Sequence, residues 1–143
     1  MRIALMLKRS MAALVVALSF STSCFADVSV IVNKANTAEI NVEDIKRIFL
    51  GKAQQFPNGE EAVPINLEMS VPSRVDFDES VLGRSTSQVT SYWSKLVFTG
   101  KGTPPKEISS ETDVIELVKN NQNIIAYIDS DKVTGDVRVI ATK

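Results

Sequence analysis

The sequence holds no histidine and a single cysteine, Cys24, in 143 residues. Without imidazole there is no Ser–His nucleophile, no His general base and no His-based metal site; one thiol allows neither an internal disulfide nor a thiolate cluster. The chain therefore reads as a non-enzyme without a cofactor or metal. Positive charge is not in excess either: 16 Lys and Arg stand against 17 Asp and Glu. A basic footprint is what nucleic acid demands, so nucleic acid is not an expected partner. Long apolar runs are also missing. The main one, Met11–Phe20, falls short of the about 18 residues a membrane span needs.

What the first 26 residues do have is a basic start (Arg2, Lys8, Arg9), an apolar middle and small residues before Ala26, the pattern of a secretory signal. Residues 1–26 are thus expected to be a cleaved leader and 27–143 a single exported domain. Ser21, three positions before Cys24, does not fit a lipoprotein signal. Cleavage removes Cys24, three basic residues and no acidic ones. It leaves 117 residues with 13 basic against 17 acidic, a net charge of −4, enough chain for one modest core.

Along that chain, DVSVIVN reads as a strand and NVEDIKRIFLG as a short helix with Asn41 as N-cap and Gly51 as stop. KAQQFPNGEE is a loop and AVPINLE a second strand. The next helix opens at Ser70 as N-cap, tolerates Pro72 in its first turn, buries Val75, Phe77, Val81 and Leu82 and stops at Gly83. STSQVTSYWSKLVFTG gives another, with a Ser85–Gln88 capping box and a stripe of Val89, Tyr92, Trp93, Leu96 and Val97. KGTPPKE reads as a loop. SSETDVIELVKNN starts a further helix at Ser110 and Asp113, burying Val114, Ile115, Leu117 and Val118. IIAYI and VRVIA close the chain as strands. Alternating strands and helices predict an α/β lobe with a mixed sheet flanked by helices.

Two patterns invite chemistry. NLEMSVPSRVDF gathers Ser70, Ser73 and Arg74 at a helix start, where outward N–H groups already carry roughly half a positive charge. Hydroxyls and a guanidinium there would suit an oxyanion; equally, Ser70 could merely cap and Arg74 pair with Asp78 four residues on, an ordinary surface contact. FTGKG lacks phosphate-loop spacing and follows a helix, so Gly100 and Lys101 read as a helix stop, with ligand contact by Lys101 the alternative. The acidic groups Glu60-Glu61, Asp76/Asp78/Glu79 and Asp129/Asp131 read as solvated loop charge and fail the EF-hand pattern. Tyr92 and Trp93 read as core and rim.

Longer phrases carry a resemblance. VSVIVNKANTAEINVEDIKRIFLGK is similar to the strand, helix and Ile-Phe-Leu-Gly-Lys phrase of the phosphate-binding proteins of ABC importers, of the type II periplasmic-binding-protein fold. AVPINLEMSVPSRVDF resembles their strand and serine-rich anion-binding turn, SYWSKLVFTGKGTPPKE a segment of their short single-domain relatives, and NIIAYI their closing Gly-Tyr strand. The resemblance implies one lobe of such a protein in the periplasm, binding inorganic phosphate or a similar oxyanion through Ser70, Val71, Ser73 and Arg74. Lys101 and Tyr127 would be secondary contacts. An ABC permease or a membrane sensor would be the partner, and a homodimer could supply the missing wall.

Departures from the family pattern limit this. Counting back from Phe77 sets Ser73 on the family's Thr, Pro72 on its Gly, Val71 on its first Ser and Leu67 on its Arg, so only Ser73 is kept in kind. Ala126 replaces the Gly before Tyr127, and the opposing lobe is absent. A second expectation follows: an interaction module in the cell envelope that has lost its ligand.

Overall fold

The computed structural model describes residues 27–143, so the expected leader, Cys24 included, lies outside the described residues. Along the chain come β1 (Val28–Asn33), α1 (Val42–Phe49), β2 (Val63–Leu67) and α2 (Pro72–Phe77), which runs on into a π-helical turn at Asp78–Leu82. Then follow α3 (Thr86–Phe98), β3 (Lys106–Ile108), α4 (Glu111–Asn120), β4 (Ile124–Asp129), a 3-10 turn at Ser130–Lys132 and β5 (Val137–Thr142). The five strands lie in the order β3-β2-β4-β1-β5. β2 is parallel to β3 and β4, whereas β1 is antiparallel to β4 and β5. This is the mixed α/β sheet that the alternating pattern predicts.

All six residues of β1 are buried, because the strand lies between β4 and β5 and is covered on both faces. Val30 sits opposite Tyr127 and shares its face, where Phe49 of α1 and Phe77 of α2 close on the tyrosine ring at 5.9 and 3.8 Å between centroids. Asn33 faces the other way, as strand alternation requires. Its amide donates to the carbonyls of Val118 and Lys119, which closes the end of α4 against the sheet. The core is thus two layers of side chains, with α1 and α2 on one face and α4 on the other.

Helix starts follow the side-chain rules. Asn41 and Asp44 exchange bonds in a full capping box, as do Ser85 and Gln88, and the Ser110 hydroxyl accepts from the Asp113 amide. At Gly51 the backbone takes φ +71, and an added Cβ would lie 2.7 Å from Cη2 of Trp93. Glycine is required there twice over, for the left-handed turn and for the close approach of the indole.

Four expectations are corrected. The N-cap of α2 is Val71, which makes no side-chain cap bond, and Ser70 lies exposed outside the helix. Val75 and Val97 are exposed, because α2 and α3 each turn those positions past the edge of the core. Ile115 and Leu117 are only half-buried. KGTPPKE is not wholly loop: Lys106 begins β3, held by parallel pairing with Ile65–Leu67, a contact that local pattern does not announce.

Candidate functional site

β2 and β4 are neighbours whose following connections part, the first toward β3 and the second past β1 toward β5. In sheets of this kind ligands sit outside the carboxyl ends of the strands at such a divergence. The residues that leave β2, β3 and β4 there are the Ser70–Arg74 turn, the start of α4 and the Asp129–Lys132 segment.

The turn is largely closed in on itself. The amides of Val71 and Arg74 are bonded to the carbonyls of Glu68 and Val71, and Pro72 has no N–H to give. Arg74 is 2% exposed. Its Nε donates to Asp78 at 2.8 Å, and its Nη1 donates to the Leu67 carbonyl at 2.9 Å and to Glu107 at 3.2 Å. Burial works against the charge, yet the bonds to Asp78 and Glu107 hold the guanidinium above its ordinary value. Asp78 is pushed up by burial and pulled back in part by Arg74. The i,i+4 pair read from the sequence is therefore real, but it is buried where a surface contact was expected.

Ser73 is equally enclosed. Its hydroxyl donates to Oε1 of Glu111 at 2.6 Å, and the same oxygen accepts the Asp129 amide at 2.8 Å. Lys132 donates to Oε2. Burial alone would raise the Glu111 carboxyl, but the bonds from Lys132, Ser73 and the Asp129 amide outweigh it and hold the group below its ordinary value. Lys132 is raised in turn by Glu111. An ionised carboxylate thus lies at the first turn of α4, where the helix dipole also favours it.

The sequence-predicted site residues are therefore only partly together. Ser70 is exposed, Val71 half-buried, and Ser73 and Arg74 buried in two separate polar clusters. Tyr127 is wholly buried: its ring stacks on Phe77, its hydroxyl donates to Asn66 Oδ1 and accepts the Leu67 amide, and burial drives its phenol upward. The residue expected as a secondary ligand contact thus lies inside the core. Lys101 lines a hollow of about 370 Å³ with Gly51, Trp93 and Gly102. A second hollow of about 480 Å³, sharing Trp93, Pro104 and Pro105 with the first, is walled by Met69, Val97 and Phe98 and touches Arg74 and Glu107.

Sequence reasoning missed Glu111, Lys132 and Glu107. Glu111 carried one signal, an acidic residue in a first helical turn; the partners of Ser73 and Arg74 lie 38 and 33 residues away, beyond any local pattern.

No protein-family model and no curated protein matches the chain. Solved structures do. An ABC-type phosphate transport receptor from Vibrio cholerae superposes with a TM-score of 0.62 at 19% identity over 81% of this chain and 46% of the receptor. A Clostridium perfringens protein described as a phosphate ABC transporter substrate-binding protein, with phosphate bound, gives 0.62 at 19% over 81% and 45%. PstS from Borrelia burgdorferi gives 0.58 at 14% over 82% and 48%. The chain spans less than half the length of these proteins. It has the fold of part of a phosphate-receptor chain, and at these identities the likeness is one of fold.

Proposed function

We propose that the chain is a periplasmic single-lobe relative of the phosphate receptors that works by binding another envelope protein, such as a membrane sensor, and not by tight capture of a free anion. Arg74 carries this reading. Its Nε and Nη1 are spent on Asp78, Leu67 and Glu107 inside the fold, so only Nη2 of the one permanent charge at the turn remains for a solute. Charge-assisted bonds contribute about 1.5–3 kcal/mol each, while association costs an estimated 4–15 kcal/mol in lost freedom. One exposed hydroxyl and a few amides do not close that gap.

An unusual apolar face supports the partner. Phe98 is 92% exposed, Val97 and Met69 each 53%, and they border the second hollow. Exposed aromatic and methionine side chains around a groove are the composition of interface centres. Capture from periplasmic extract tests it: a ligand-independent partner held by the wild type and lost with Phe98→Asp is expected, and equal recovery by both proteins contradicts it.

A second reading keeps the oxyanion. It is favoured by the phosphate-bound neighbour of the same fold and by the exposure of Ser70 beside the turn. Phosphate would then be held weakly at Ser70 and Val71, with a Kd on the order of millimolar. A dimer mate or an ABC permease would have to supply the second wall. Calorimetric titration with phosphate and sulfate decides it: saturable heat supports this reading, and none at tens of millimolar, on the order expected for such a site, removes it.

A further inference from the structure

We propose that Glu111 is an internal surrogate for an external oxyanion, so that Ser73, the Asp129 amide and Lys132 form a built anion cradle filled by the chain's own carboxylate. Three elements supply it: the first turn of α2, the end of β4 and the 3-10 turn that follows. The Ser73 hydroxyl and the Asp129 amide converge on one oxygen at 2.6 and 2.8 Å, and Lys132 takes the other. These are the donor types that hold free oxyanions elsewhere, namely a hydroxyl, a backbone N–H and a cation. The cradle is largely enclosed, with Ser73 5% and Glu111 7% exposed, while Lys132 reaches in from solvent with 57% of its side chain exposed.

The ligand class follows from the occupant: a small carboxylate such as formate or acetate, planar and singly charged. Glu111 excludes such anions from the wild type through its tether, since a carboxylate already attached to α4 gives up no translational freedom on entering. Cutting the side chain back to its Cβ leaves the Ser73 hydroxyl and the Asp129 amide without their acceptor, Lys132 without its counter-charge, and a space the shape of the lost group. This inference does not depend on the partner-binding reading, because a wild-type chain that captured no protein would leave the cradle unchanged.

The test is chemical rescue. Thermal unfolding of the wild type, Glu111→Ala, Glu111→Gln and the double variant Ser73→Ala/Glu111→Ala is followed in formate, acetate and chloride of equal ionic strength. Glu111→Ala should melt below the wild type in chloride and recover by several degrees, saturably, in formate or acetate. Glu111→Gln, whose amide fills the space, should not respond, and the double variant should lose most of the recovery. Equal behaviour of Glu111→Ala in all three salts overturns the proposal. So does a Glu111→Ala chain that stays unfolded in formate and chloride alike while Glu111→Gln folds.

Discussion

The guanidinium of Arg74 and the carboxylate of Asp78 lie 2.8 Å apart, one helical turn from each other, and neither side chain is more than 3% exposed. A buried pair is costly to break, because the surviving Arg74 keeps its charge with only the half-exposed Glu107 to balance it. Asp78→Ala should lose about 3–5 kcal/mol, read as a fall in the urea midpoint. Replacing both, Arg74→Met with Asp78→Leu, should restore most of that loss, since apolar residues of similar volume need no counter-charge. Equal losses in the single and double variants would contradict the pairing.

Glu111 sets an acid-side dependence. Its carboxyl is held low in the fold, so as pH falls the unfolded chain takes up its proton first, near the ordinary value of about 4.3. The stabilisation is complete above that value and is lost as pH drops through the lower folded one. The gap in unfolding midpoint between the wild type and Glu111→Gln should therefore shrink as pH falls through the ordinary carboxylate range and below it. Asp78, held high by burial, titrates in both proteins and cancels in the difference. A gap that is constant across the range would contradict the ionised state of Glu111.

Tyr127→Phe keeps the stack on Phe77 but strands the Leu67 amide and Asn66 Oδ1 in the core. Each stranded group costs about 1–3 kcal/mol. The variant should unfold earlier in urea with unchanged far-ultraviolet circular dichroism. A neutral outcome would mean that the hydroxyl is not the partner of those groups.

Gly51 and Gly100 make a matched pair. Both hold positive φ, +71 and +68, but an added Cβ meets Trp93 only at Gly51, while Gly100 faces open space. Gly100→Ala should cost on the order of 1 kcal/mol for backbone strain alone. Gly51→Ala should cost clearly more and shift the Trp93 fluorescence. Equal losses with unchanged emission would argue against the close approach.

Much of this fold was legible from local signals. Asn41, Ser85 and Ser110 named the starts of α1, α3 and α4, because capping chemistry is complete within four residues. The strands around Val30, Ile65 and Ile125 were marked by their β-branched runs. β3 was not, since three residues after a proline pair become a strand only by pairing with β2. At the candidate site the sequence named Ser73, Arg74 and the Arg74–Asp78 pair, but not the burial of that pair or the distant carboxylates. Whether the turn faces a solute or the fold depends on Glu107 for Arg74 and on Glu111 for Ser73, which only the closed sheet brings near. The exposure of Val97 and Phe98 was hidden for a related reason: apolar periodicity says which stripe a residue joins, not where the core beneath it ends.

The most direct measurement is an amide-resolved nuclear magnetic resonance titration of the wild-type protein with phosphate. The amides of Ser70, Val71, Ser73, Arg74 and Asp129 should stay in place, within the small non-saturable drift of ionic strength, because Glu111 already accepts from Ser73 and the Asp129 amide, while Asp78 and Glu107 accept from Nε and Nη1 of Arg74. Saturable shifts confined to those amides would contradict this and restore the turn as an open oxyanion site.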